Sequence, residues 1–153
     1  MKLIWNFKGG LPECIYYRLW AIISKRFGSI RIHNWLESDD HRAKHDHPYW
    51  FITFILRGGY TDVSCDEMGN ETKEVLRALT WRYRPANHMH QVLEVIPNSW
   101  TLLITGPSIH RWGFKVGNKL IKKDKYFAVY GHHNPCDIGS EPVRMKPDGT
   151  RIV

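Results

Sequence analysis

The stretch His45-Asp46-His47-Pro48-Tyr49-Trp50-Phe51-Ile52-Thr53-Phe54-Ile55-Leu56-Arg57-Gly58-Gly59 opens polar, runs through aromatic and aliphatic residues, and stops at a glycine pair. Aromatic and β-branched residues bounded by turn formers predict a strand over Tyr49–Leu56. Along extended chain, successive side chains point to opposite faces, so His45 and His47 share one face and Asp46 takes the other. Two imidazoles on one face can close on a metal ion at about 2.0–2.1 Å. A third ligand must then come from a neighbouring strand, and His90 stands near the start of one, predicted over His88–Ile96. Two histidines beside a turn are equally readable as a wet surface pair, so the decision rests on what surrounds them.

On both sides the chain alternates with period two. Ile30, Ile32, Asn34 and Leu36 alternate with Arg31, His33, Trp35 and Glu37. A polar turn, Ser38–Lys44, leads into the histidine pair. Beyond Gly59 strands are predicted over Tyr60–Cys65, Glu71–Arg77, Thr80–Arg84, Trp100–Thr105, Arg111–Val116 and Lys119–Tyr130. Pro97-Asn98, Gly106-Pro107 and Gly117-Asn118 supply turns between them. Short strands about ten residues apart point to an antiparallel sandwich or barrel.

Leu11–Phe27 reads differently. Pro12 and Glu13 suit a helix start, Lys25, Arg26 and Gly28 suit its end, and Ile15, Leu19, Ile22 and Ile23 fall on one helical face. A helix packed on the barrel is expected there, with an interfacial or partner-binding helix as the alternative. The organisation expected is therefore an N-terminal helical segment over 1–28, a barrel over 29–135 and a C-terminal arm or hairpin over 136–153, where Lys146-Pro147-Asp148-Gly149 can turn.

The chain's 153 residues fit one domain, and its 13% aromatic content is enough bulk for a barrel core. Cys14, Cys65 and Cys136 form neither a disulfide framework nor a zinc ribbon, which suits a reducing, cytoplasmic setting. No leader pattern is read at the start, and the longest apolar run, Cys14–Ile23, is too short to cross a bilayer. No membrane association is expected. The net charge of +7 favours anionic partners such as phosphates, carboxylates or nucleic acid, but it is spread along the chain and reads equally as a solubility device; Lys122, Lys123 and Lys125 could meet nucleic acid but read as wet surface.

The stretch from His45 to Gly59 resembles the first motif of the cupin superfamily, in which two His separated by one residue precede a Glu and then a Gly. Pro85-Ala86-Asn87-His88-Met89-His90 resembles the second, Pro-x-Gly-x-x-His, with His90 on its metal-binding His. The resemblance covers about Ile30–Val129 and implies an all-β double-stranded β-helix, the cupin jelly roll, here with an N-terminal helix. More narrowly, Asp39-x-x-Arg42-x-x-His45-Asp46-His47-Pro48-Tyr49-Trp50-Phe51, with the later Thr105-Gly106-Pro107 and Arg111-Trp112-Gly113-Phe114, resembles a group of bacterial and phage cupin-like proteins whose likeness implies no activity. Two departures stand out. The motif's Glu falls at Phe51 or Ile52, leaving Thr53 as the nearest polar residue, and its Gly is Asn87, which tolerates positive φ.

What remains is a metal site of His45, His47 and His90, with open positions for water or substrate. Imidazoles suit Fe, Zn, Ni or Cu alike, and Mn is open as well. The candidate catalytic residues are Asp40 (with Asp39 and Arg42 beside it), His88 and Arg84. Asp39 or Asp40 is read as a His-orienting carboxylate or general base, or else as a turn cap. His88 is read as a ligand, an acid–base group or a rim residue. Candidate substrate-binding residues are Arg57, Arg82 and Trp112; the arginines clamp a carboxylate or phosphate if they face the barrel mouth, and are otherwise solvated. Glu94 is expected deeper on the face of His90. The functional expectation is a metal-dependent cupin acting on a small anionic molecule, with an Fe(II) dioxygenase first. The alternatives are a hydrolase or isomerase, or a module that only binds a nucleotide or sugar. A homodimer is implied by the resemblance.

Overall fold

The computed structural model describes residues 1–11, 14–39 and 43–130, without the side chains of Gly10, Leu11 and Cys14. Asp40, Arg42, Cys136 and the expected arm or hairpin over 136–153 lie outside the described residues.

Among the described residues, eleven strands and one short helix build two facing antiparallel sheets. The first sheet takes β1 (Lys2–Leu11), β2 (Cys14–Ser24), β3 (Gly28–Trp35), β4 (Phe51–Arg57), β7 (Trp81–Arg84) and β9 (Ser99–Thr105), in the order β1-β2-β3-β9-β4-β7. The second takes β5 (Gly59–Cys65), β6 (Glu71–Arg77) and β8 (His90–Leu93) in the order β6-β5-β8, plus the hairpin β10 (Gly113–Val116)–β11 (Lys119–Lys122). His45 joins those two pieces. It bridges His90 of β8 on one side and Phe114 of β10 on the other. Its N–H and the His90 carbonyl lie at 2.9 Å, and the reciprocal bond at 3.0 Å. The candidate ligand is thus also the stitch that closes the second sheet.

The segment expected as a helix is strand. Residues 17–24 of β2 pair in unbroken register with β3, from Tyr17↔Trp35 to Ser24↔Gly28, and β1 pairs on their far side. The cause is visible in composition: β2 is apolar or aromatic on both faces. Its Tyr17 and Leu19 point inward while Trp20 and Ile22 point outward, so a helical stripe and a two-faced strand fit the same residues. Aromatic and β-branched content decides for the sheet. The expected last strand also stops early: β11 ends at Lys122 and α1 spans Lys123–Tyr130. Tyr126 and Tyr130, four apart, stack at 4.7 Å, a contact helical spacing supplies. Tyr126 also stacks on the buried Phe114 at 3.9 Å, docking the helix.

The Gly58-Gly59 corner between β4 and β5 needs glycine at both positions, with φ of 73° and 155°. A Cβ on Gly59 would stand 2.1 Å from the Leu76 carbonyl oxygen. Around this corner Ile55, Tyr60, Leu76 and Val92 form an apolar core cluster. Tyr60 and Val92 also face the open space around the histidines. No helix among the described residues is long and apolar enough to cross a membrane.

Candidate metal centre and cavity

His45, His47 and His90 come together as a near-equilateral triangle. Their ring centroids lie 5.2, 5.4 and 5.1 Å apart, and one ring nitrogen from each falls within 4.8 Å of the others. Parity along the strand puts His45 and His47 on one face, and the His45↔His90 bridge sets the third ring beside them. The two sequence motifs also meet directly, because the Asn87 N–H donates to the His47 carbonyl at 3.2 Å. Asn87 adopts φ 67°, the left-handed conformation for which the related motif uses glycine.

The Nε2 atoms of His47 and His90 stand 3.0 Å apart. Two nitrogens each about 2.0–2.1 Å from one ion are separated by about 2.9–3.4 Å at right-angled or tetrahedral coordination, so this spacing fits a shared ion. The protonation states fit as well. Burial, then the neighbouring charges of His90, His45 and Arg31, hold His47 well below the ordinary imidazole range, so its ring stays neutral as a ligand must. His90 turns its Nδ1 to Asp62 Oδ1 at 2.7 Å. Burial alone would raise the Asp62 pKa, but His90 and Arg84 outweigh it and bring the carboxyl down to about 2. Asp62 is therefore a carboxylate that fixes the His90 ring and leaves Nε2 for the centre. On the other side, the buried Asp39 places Oδ2 3.6 Å from His45 Nδ1. Asp46 points away, as parity requires, and its Oδ1 accepts the Gly113 N–H at 2.6 Å. That bond anchors the His-Asp-His segment to β10.

The triangle opens into a cavity of about 300 Å³ between the sheets, at the lower end of the size range for small-molecule sites. Of the expected substrate residues, Trp112 lines it, and its ring lies 5.8 Å from that of His45. Arg57 and Arg82 are not among the lining residues; Arg57 is exposed at the end of β4, and Arg82 bonds Glu74 through Nε. Arg84 also lies outside, its Nη2 donating to Asp62 Oδ2 at 2.9 Å and to Glu74 Oε2 at 2.6 Å. It reaches His90 only through Asp62. His88 sits behind His90, ring centroids 5.5 Å apart, in a second cluster with Asp62 that could also gather a cation. Burial, and then the charges of His90 and Arg84, lower its pKa to about 4. Glu94 is not deep on the His90 face. β8 ends one residue earlier, φ of 49° turns the chain, and the exposed carboxylate accepts the Thr61 hydroxyl at 2.6 Å.

Where the related motif carries its Glu, Phe51 packs edge-on to His47 at 5.0 Å, and Thr53 lies further along the same wall. Sequence reasoning missed Asp62, Arg31 and His33 as cavity or centre residues. Arg31 and His33 were signalled by their alternation with Ile30 and Ile32. Asp62 carried no signal beyond its place in a predicted strand.

No family model and no curated protein matches this sequence. Solved structures do. Oxalate decarboxylase from Bacillus subtilis superposes with a TM-score of 0.56 at 12% identity, over 80% of this chain and 30% of that one. Fe(II)-HppE with an alternative substrate gives 0.50 at 14% identity, over 65% and 54%. A structure from a study of DMSP lyases gives 0.50 at 13% identity, over 65% and 53%. The fold is the cupin jelly roll. The chain spans about half, or less than a third, of the proteins it resembles. One of these neighbours is described with Fe(II), and this chain has histidines that could hold a metal.

Proposed function

We propose that this protein is a metal-dependent cupin in which His45, His47 and His90 hold one divalent ion, and that it acts on a small anionic molecule in the adjoining cavity. The observation that carries the reading is the 3.0 Å approach of the His47 and His90 Nε2 atoms, with Asp62 fixing the second ring. A three-imidazole ion supplies Lewis acidity and open positions for water or substrate. The chain's own residues do the rest. Asp62 holds the His90 tautomer, Asp39 stands beside His45, and Trp112 and Phe51 exclude water from the triangle's flanks. Among reaction types, an Fe(II) oxygenase is our first choice, since three imidazoles suit Fe(II) and a protein of similar fold, HppE, carries Fe(II). A hydrolase or isomerase, or a binder of nucleotides or sugars, is the alternative.

Elemental analysis of protein purified without a nickel column tests the centre. About one equivalent of a divalent metal is expected, and its loss in His90→Ala. Metal below about a tenth of an equivalent in the wild type overturns the reading. Oxygen uptake by the Fe(II)-loaded protein against candidate anions then separates oxygenase from binder.

We further propose a homodimer through the outer face of the first sheet. Ile22, Ile30, Ile104, Ile52 and Tyr83 pair across five strands as one apolar row, and a contiguous exposed apolar row of this kind suits an interface.

A further inference from the structure

Arg31 is the one cationic side chain among the described residues lining the cavity. Its guanidinium is held from two sides. Nε donates to the Ser29 hydroxyl at 2.7 Å, and that hydroxyl is tied in turn to Thr105 Oγ1 at 2.9 Å. The guanidinium carbon lies 5.0 Å from the centroid of the Tyr49 ring, a cation–π contact. What Arg31 lacks among the described residues is an anion. Arg82 and Arg84 are both paired with carboxylates, whereas no Asp or Glu among the described residues pairs with Arg31.

With Nε engaged, the two terminal amino groups remain, and their planar fork matches a carboxylate. The place matters as much as the charge. The Tyr49 ring stacks on His47 at 5.6 Å and 17°, so guanidinium, phenol ring and metal-centre imidazole form one chain of contacts. Burial, then the Arg31 charge, lowers the His33 pKa to about 3; this neighbour is neutral, and the positive charge on this wall is concentrated at Arg31. Lys is absent from the described lining, and Tyr17, Trp35 and Trp112 make the rest of the wall largely aromatic.

We infer that Arg31 is the anchor for the substrate, a small monocarboxylate whose apolar or planar body lies against the aromatic wall and whose far end reaches the His45–His47–His90 triangle. A single charge held in a fork, with no second basic side chain in the described lining, suits a monoanionic carboxylate better than a phosphate dianion. The inference rests on the cavity being the ligand site proposed above, and it can fail separately from the metal centre.

Ligand-observed NMR titration of the purified protein, with benzoate and propionate against benzamide and propionamide, tests it. Metal content is measured on the same samples. The wild type is expected to bind the acids at least tenfold more tightly than their amides, and more tightly than inorganic phosphate. Arg31→Gln should lose that preference and keep its metal. Arg31→Lys, which keeps the charge without the fork, and Ser29→Ala, which frees Nε, should each fall between. Equal binding of acid and amide by the wild type overturns the clamp, as does tighter binding of phosphate than of benzoate. Arg31→Lys equal to wild type also overturns it. An acid preference that survives Arg31→Gln but disappears in His90→Ala would put the anion on the metal and equally overturn it. A wild type without metal that still prefers acids sinks the metal reading and leaves the clamp standing.

Discussion

The two faces of the six-stranded sheet blur the usual division of labour. The face turned into the molecule sets Arg31, His33, Thr53 and Thr101 among Leu19, Phe51 and Leu103, while the face turned to solvent carries Ile22, Ile30, Ile32 and Ile104. In most antiparallel sheets one face packs on the core in apolar residues and the other is polar and wet. Here the inward face borders a cavity, so polar residues are useful there, provided each finds a partner. Trp35 Nε1 donates to the Thr101 hydroxyl at 3.3 Å, and the Ser29 and Thr105 hydroxyls bond each other beside Arg31. The outward face has no such restriction, and its apolar row is the surface on which the proposed homodimer rests. The contrast separates residues kept for chemistry from those kept for packing, and it can be broken at several points.

The largest effect is expected behind the centre. Asp62 is buried, and it holds both His90 Nδ1 and the Arg84 guanidinium. Asp62→Ala takes away the buried acceptor of His90 Nδ1 and one of the two carboxylates on the half-buried Arg84, which keeps Glu74, so folding stability should fall by about 2–3 kcal/mol, the cost of losing hydrogen bonds to a charged group. Metal affinity should drop about 10- to 100-fold as His90 loses its orientation. Urea unfolding and a chelator competition measure the two. A stable Asp62→Ala protein with unchanged metal affinity would mean that His90 is positioned by its strand alone.

This arrangement also shows what could be read in advance. His45, His47 and His90 were legible because strand parity and turn chemistry are local, and Asn87 announced its positive φ by residue type. Asp62 was not legible, since its meaning depends on the β5–β8 register, in which Asp62 opposes Val92 and so sits diagonal to His90. The Leu11–Phe27 segment was misread as helix because its apolar residues satisfy both periods, and only pairing with β3 decides. Arg31 and His33 were visible as one side of an alternation. Which side faced inward was fixed by the fold, and a rule that sends the isoleucines inward would have chosen wrongly.

The next effect comes from the inner face in acid. Burial, and then the Arg31 charge, bring the His33 pKa from an ordinary 6.5 to about 3. Between those values the unfolded chain binds a proton on His33 that the folded chain refuses. Stability therefore falls as pH drops through that window, by about 1.4 kcal/mol per pH unit for this one group. His47 and His88 add in the same direction. The contribution of His33 is isolated by comparing wild type with His33→Gln at pH 7 and pH 5. The variant should lose about 2 kcal/mol less on acidification. Parallel pH profiles for the two proteins would mean that His33 takes up its proton in the folded state.

The smallest effect on folding, and the sharpest test of the contrast, sets Thr101 against Ile30. Thr101 is 2% exposed and Ile30 is 53% exposed, on opposite faces of the same sheet. Thr101→Val keeps the shape but removes the acceptor of the Trp35 indole, which should cost about 1 kcal/mol. Ile30→Lys removes apolar surface already in water, so the monomer's stability should move by less than about 0.5 kcal/mol. Its consequence lies in assembly. If two copies cover each other's outer face, a two-fold axis brings each substituted patch against its symmetry mate. Lysines at Ile30 would then face apolar surface and their own copies across the interface, and sedimentation should show a dimer for wild type and a monomer for Ile30→Lys. A wild type that sediments as a monomer at high concentration, with Ile30→Lys equally stable, would leave the apolar row uncovered by this chain and place its partner elsewhere.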